Sequence, residues 1–181
     1  MTPLGCVTGR FQPVHEQHLE LFERALAECE RLVVAVTNPD AASRRFEAAS
    51  AHRHTPWANP FSYFERARLL EVALRDRGLG ERATIVPFDL TRPAHWPEYV
   101  PLSACQFVRV YGAWEREKVR LLQAEGYGVA VIEGDIARRI SASVIRAALQ
   151  AGHQRWHALV PPATVPLLEA LIAERPMRER G

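Results

Sequence analysis

The sequence predicts an α/β fold, a doubly wound parallel sheet of about five strands with helices on both faces. Three observations predict it. Short apolar runs without polar alternation recur along the chain, as strands buried on both faces require. Segments with apolar residues at helical spacing separate those runs. The two kinds of segment alternate through the 181 residues, which is the pattern of repeated βα units. Crossovers in such a sheet are right-handed, and its ligand crevice lies at the carboxyl ends of the strands.

The elements follow in order. Leu4-Gly5-Cys6-Val7 reads as a buried first strand. Pro13, which has no N–H to pair, stops it. Leu19, Phe22 and Leu26 have helical spacing and predict a helix over about 18–30. Residues 31–36 form a second continuous apolar strand, followed by a long polar loop over 38–57. Asn59-Pro60-Phe61 opens a helix whose expected inner face is Phe64, Ala67, Leu70 and Leu74, ended by Gly78. Residues 83–88 are strand three. A Pro-rich connection over 89–101 carries His95 and Trp96. Residues 107–111 are strand four, and 114–124 a helix closed by Gly126. Residues 129–132 are strand five. Ile140-Ser141-Ala142-Ser143 enters a helix through serine caps, running to Leu149 and stopping at Gly152. Pro161 and Pro162 start the last helix, with Val165, Leu168 and Ile172 inward.

Composition narrows the function classes. The chain is 48% apolar and 24% charged with a formal net charge of +2, so its total charge makes no case for nucleic acid. No stretch approaches a membrane span. The first residues run straight into a strand without a basic leader, and Cys6, Cys29 and Cys105 read as free thiols, so a cytoplasmic protein is expected. One domain over 1–181 is expected, and the oligomeric state, homo-oligomer included, stays open. Lys118 is the sole lysine; the other basic residues are arginines, which suit bidentate phosphate contacts. Seven histidines invite a zinc reading, but no Cys/His cluster has ligand spacing, so no protein-held metal site is expected.

The chemistry concentrates at two helix starts. In Gly9-Arg10-Phe11-Gln12-Pro13-Val14-His15-Glu16-Gln17-His18, a strand turns into a helix N-terminus, where unpaired N–H groups and the dipole suit an anion. His15 and His18 sit there, and imidazoles can donate to phosphoryl oxygens. A pair of capping histidines on an ordinary βα unit gives the same spacing. Ile140-Ser141-Ala142-Ser143-Val144-Ile145-Arg146 is a second such start, with two hydroxyls and an arginine one turn inside.

The first string resembles the H-x-G-H signature of a nucleotidyltransferase superfamily. It is most similar to the G-R-F-Q-P-x-H-x-G-H form of the archaeal-type nicotinamide mononucleotide adenylyltransferase family. The second string resembles that superfamily's I-S-x-[ST]-x-I-R. His54-Thr55 with Asn59-Pro60-Phe61 and Glu65-Arg66 resembles the family's H-T-x-x-N-P-F-x-x-x-E-R with one residue added. Asp89 and Trp96 match an Asp…Trp pair whose Trp stacks on nicotinamide; a core aromatic beside a Pro-rich turn gives the same spacing. Gly126-Tyr127-Gly128-Val129 and Trp156-His157-Ala158-Leu159-Val160-Pro161 match two further stretches.

The resemblance implies a Rossmann-like fold and nucleotidyl transfer. The acceptor phosphate attacks the α-phosphorus of ATP in line, pyrophosphate leaves, and catalysis is positioning plus charge stabilisation. It implies His15, His18 and Arg146 as catalytic residues. Gly9, Arg10, Phe11, Gln12, Gln17, Tyr111, Gly112, Ile140, Ser141 and Ser143 are implied at the nucleotide. His54, Thr55, Asn59, Asp89 and Trp96 are implied at the acceptor, nicotinamide mononucleotide. Mg²⁺ is implied as cofactor, held mainly by phosphates and water.

The departures cluster at the nucleotides. Gln17 replaces the family's glycine, and its amide is expected to face the pocket and bear on nucleotide choice; turned to solvent it would do nothing. Tyr111-Gly112-Ala113-Trp114 stands where the family has Tyr-Ser-Gly-Asn, and Ala58 where many relatives carry a charge. Arg44, Arg45 and Arg53 in the long loop could replace a phosphate contact. Three functions therefore stand: an adenylyltransferase making NAD, a transferase such as a cytidylyltransferase acting on a small phosphate or phosphonate, and a non-catalytic nucleotide-binding module.

Overall fold

The computed structural model describes residues 1–43 and 55–174. In chain order it runs β1 (Thr2–Gly9), α1 (Glu16–Leu26), β2 (Cys29–Thr37), α2 (Tyr63–Asp76), β3 (Ala83–Phe88), a short α3 (Trp96–Tyr99), β4 (Cys105–Val110), α4 (Ala113–Ala124), β5 (Val129–Glu133), α5 (Ala142–Gln150) and α6 (Val165–Ala173). The strands form one parallel sheet in the order β3-β2-β1-β4-β5, the Rossmann-like α/β arrangement expected. β1 pairs with β2 on one side (Thr8 opposite Ala35) and β4 on the other (Cys6 opposite Gln106). The strand order therefore reverses at β1, and the crevice beyond its carboxyl end is where such sheets bind ligands.

Strand β2 shows why the apolar runs are continuous. Leu32, Val34 and Val36 join a core shared with α1, α2, α5 and α6, while Val33 and Ala35 join a second core with Trp96, Leu122 and Tyr127. Each face of the sheet needs its own apolar set, so alternation disappears.

Several expected boundaries move. α1 starts at Glu16 and ends at Leu26, not 18–30, because Cys29 pairs with Thr2 and β2 begins there. Strand four begins at Cys105 and ends at Val110, releasing Tyr111 to the turn. In α2 the inner stripe is Arg66, Leu69, Leu70, Ala73 and Leu74, and Phe64 is 67% exposed with the Arg68 guanidinium near its ring. Residues 66, 69, 70, 73 and 74 follow the i, i+3, i+4 spacing of one face, and Phe64 lies off it. In α6 the buried residues are Leu168 and Leu171, with Val165 and Ile172 packed at the margin.

Arg66 explains its own burial. Its guanidinium donates to the carbonyls of Arg10 (2.9 Å), Thr37 (2.7 Å) and Asn38 (2.8 Å), and Nε donates to Ser62 O (3.2 Å). One cation thus satisfies carbonyls where β1 and β2 leave the sheet. Cys6 and Cys29 are buried free thiols, Cys105 is half-buried, and burial pushes Cys6 up to about 12. Among the described residues no helix is long and apolar enough to cross a membrane.

Candidate active site

Three helices begin at the carboxyl edge of the sheet around one cleft of about 680 Å³: α1 after β1, α4 after β4 and α5 after β5. Their N-terminal dipoles point positive charge into it. Arg10, Lys118, Arg139 and Arg146 line it, against Glu115 as the one carboxylate among the described lining residues. Glu115 is paired with Arg139 at 3.3 Å. A cleft of this size and sign fits a polyphosphate.

The turn after β1 builds the first wall. Gly9 is needed there, because a Cβ would come within 2.7 Å of the Phe11 ring. Phe11 has φ of +50° and is buried edge-on against His18 and Phe22. The Gln12 amide exchanges two hydrogen bonds with the Phe61 backbone, donating at 2.9 Å and accepting at 3.0 Å. The side chain thus holds the 55–61 turn, and Gln12 is among the residues that line the cleft.

His15 and His18 stack with ring centroids 3.6 Å apart. The His15 N–H donates to His18 Nδ1 at 3.1 Å, so a neutral His18 carries its proton on Nε2. Burial first, then the neighbouring cations, pushes both rings down: His15 to about 3, beside Arg109 and Arg139, and His18 well below the usual imidazole value, beside His15, Arg109 and Lys118. Both are neutral in the free protein at pH 7. A neutral imidazole donates to a developing oxyanion without losing a proton to it.

The second wall is the start of α5. The Ser141 and Ser143 hydroxyls lie 2.6 Å apart, and Ser141 makes no side-chain cap bond. Arg146 is 3% exposed, donates to Gln12 O at 2.8 Å and leaves Nε without a partner. Burial lowers it to about 10, so it remains a cation at neutral pH. The two strings are thus in contact across more than 130 residues of chain.

The structure gathers Gly9, Arg10, Phe11, Gln12, His15, His18, Gly112, Ile140, Ser141, Ser143 and Arg146 at the cleft. Gln17 and Tyr111 lie behind the cleft wall, bonded to each other: the Tyr111 hydroxyl donates to Gln17 Oε1 at 3.1 Å. That corrects the expectation of a pocket-facing amide. Thr55 and Asn59 stand in the 55–61 turn, where Asn59 Nδ2 donates to Thr55 O at 3.0 Å. His54, Arg44, Arg45 and Arg53 lie outside the described residues.

Asp89 and Trp96 line a separate hollow of about 100 Å³. Trp96 is 1% exposed, packed against Phe88 and Tyr127, and its indole N–H donates to Asp89 O at 2.7 Å. The ring expected as a stacking platform is therefore packed in the core at the side of this hollow. The Asp89 carboxylate accepts from the Thr91 N–H and hydroxyl, closing the turn.

Thr8, Trp114, Lys118 and Arg139 are among the lining residues that carried no assigned role in the sequence. Lys118 reaches from α4 to donate to Thr8 O at 2.8 Å and is nearly buried. Its one signal in the sequence is that it is the sole lysine. Among the described residues no cluster of three or more His, Cys, Asp or Glu could hold a metal ion. A divalent ion carried on phosphate oxygens fits this cation-rich lining; a protein cage does not.

Comparison with known proteins places these features. The family described as cytidylyltransferase-like matches residues 6–148. A phosphonoformate cytidylyltransferase of Streptomyces viridochromogenes is 36% identical over 160 residues, covering 88% of this chain and 86% of that one. A nicotinamide-nucleotide adenylyltransferase of Methanoculleus marisnigri is 32% identical over 170 residues, covering 92% and 90%. The crystal structure of a bifunctional NMN adenylyltransferase/ADP ribose pyrophosphatase from Francisella tularensis, complexed with AMP and a manganese ion, shares the fold. Its TM-score is 0.62 at 16% identity over 96% of this chain, which spans about half (53%) of that longer one.

Proposed function

The chain belongs to the cytidylyltransferase-like family and is a nucleotidyltransferase, and from that premise we propose that it transfers a cytidylyl group from CTP to a small phosphate or phosphonate. One observation carries the choice of acceptor: the Trp96 ring is buried in the core, so the feature that favoured nicotinamide is committed elsewhere. The 36% identity to a phosphonoformate cytidylyltransferase supports the choice of nucleotide.

In the proposed reaction an acceptor oxygen attacks the α-phosphorus of the triphosphate. A new P–O bond forms, the bond to the β-phosphate oxygen breaks, and pyrophosphate leaves with the electron pair. His18 donates from Nε2 to the charge that grows on these oxygens, and His15 lies stacked beside it. Arg10, Arg146 and the Ser141–Ser143 helix start hold the phosphates from two sides. Lys118 adds charge from the floor of the cleft. A divalent ion, magnesium by expectation, would neutralise part of the triphosphate charge when bound.

A second reading, adenylyl transfer to nicotinamide mononucleotide, is favoured by the 32% identity to an archaeal enzyme of that name over most of both chains. Pyrophosphate release, with CTP, ATP, GTP and UTP each crossed against small phosphonates, small phosphates and nicotinamide mononucleotide, separates the two.

A further inference from the structure

Gln17 sits between the two histidines on the first turn of α1, yet it is not among the residues that line the cleft, and its amide is bonded within the protein. Oε1 accepts from the Tyr111 hydroxyl at 3.1 Å and from the Ile140 N–H at 2.8 Å, and Nε2 donates to Arg138 O at 2.7 Å. Both acceptor positions of the oxygen are thereby filled. The Gln17 carbonyl in turn accepts from Arg109 at 3.0 Å. Tyr111 is itself fixed: its ring lies so close to Gly134 that no Cβ fits there, and the Arg139 guanidinium sits 4.7 Å from its centroid. The segment held by these bonds, 138–141, leads directly into the helix start that carries Ser141, Ser143 and Arg146.

We infer that Gln17 is a positioning residue that sets the separation between the histidine pair and the second triphosphate-binding helix start. A glycine at this place has no side chain, so the two helix starts would lack this tie. Here a side chain spans them, joining residues more than 120 positions apart in the chain. Gln17 acts on the triphosphate through Ile140 and Arg138 and touches no ligand itself. The effect on ligand rests on the reading that the triphosphate lies at 140–146; the tie itself does not.

The test uses the full chain as wild type, Gln17→Met, Tyr111→Phe and the double variant. Methionine keeps the length and loses all three side-chain bonds. The first readout, without ligand, is hydrogen exchange at the Ile140 amide, which should be slow in wild type and at least about tenfold faster in Gln17→Met. The second is titration with magnesium–CTP and magnesium–ATP. Gln17→Met should bind its preferred triphosphate roughly tenfold more weakly, while the KM of the acceptor stays within about twofold. The double variant should lose no more than Gln17→Met alone, because Tyr111 works through the same amide. Unchanged exchange at Ile140, or additive losses, would overturn the tie. Faster exchange with unchanged triphosphate affinity would keep the tie and overturn its placement at the triphosphate. If Gln17→Met does not fold, Tyr111→Phe carries both readouts, with a smaller change expected in the same direction and no change overturning the inference.

Discussion

The Arg146 guanidinium donates to the main-chain oxygen of Gln12 at 2.8 Å, joining the second helix start to the turn of the first. The same group faces the cleft with Nε unpartnered. Arg146 therefore has two roles, and they separate by substitution. Arg146→Ala should lower kcat/KM for the triphosphate by roughly 100-fold, and it leaves a buried carbonyl unpaired at about 1–3 kcal/mol. Arg146→Lys keeps the charge and should recover part of the stability but little of the bidentate phosphate contact. Steady-state kinetics and thermal melts on both variants check this; equal kcat/KM in wild type and Arg146→Ala would remove the residue from the site.

His18→Ala removes the ring whose tautomer the His15 N–H fixes. Turnover should fall roughly 100- to 1,000-fold, with the fold retained and triphosphate affinity little changed. A well-folded His18→Ala protein that releases pyrophosphate at the wild-type rate would contradict the role given to the ring.

Stability should fall in mild acid. In the fold, His15 is pushed down from 6.5 to about 3 and His18 also lies well below its ordinary value. The unfolded chain binds those protons first as pH drops. The stability of the neutral pair is therefore complete above about pH 6.5 and is lost progressively below it, by up to about 1.4 kcal/mol per pH unit for each ring. Urea unfolding at pH 7, 6 and 5 measures the slope. A saturating triphosphate places negative charge beside both rings and should flatten it. A stability that does not change between pH 7 and 5 would contradict the neutral pair.

Trp96 should behave as a core residue. Trp96→Ala deletes a buried ring packed between Phe88 and Tyr127 and should cost about 3–5 kcal/mol, or roughly 10 °C in Tm. Trp96→Phe keeps most of the packing and should leave the acceptor KM unchanged. A large rise in acceptor KM for Trp96→Phe at an unchanged Tm would return the ring to the acceptor site.

Local signals carried much of the fold and the cleft. The five strands were legible because each is a short apolar run, and both cleft-facing helix starts were legible as strand–turn–helix strings with histidine, serine and arginine in place. What failed depended on partners distant in sequence. Phe64 looks inward by hydrophobicity, and only the stripe from Arg66 to Leu74 decides which face of α2 turns to the core. Trp96 has the same spacing to Asp89 whether it stacks on a ligand or on Phe88. Gln17 could not be placed from the first string, because its partners are Tyr111, Arg138 and Ile140. Lys118 became a cleft residue only when α4 laid it across the end of β1.

The proposed activity is tested most directly by pyrophosphate release from the full chain, comparing CTP plus a small phosphonate or phosphate with ATP plus nicotinamide mononucleotide. The account predicts a kcat/KM at least roughly tenfold higher for the best CTP pair, a difference of the size that pocket contacts supply. Preferred turnover of ATP with nicotinamide mononucleotide, or no pyrophosphate from any pair, would contradict it.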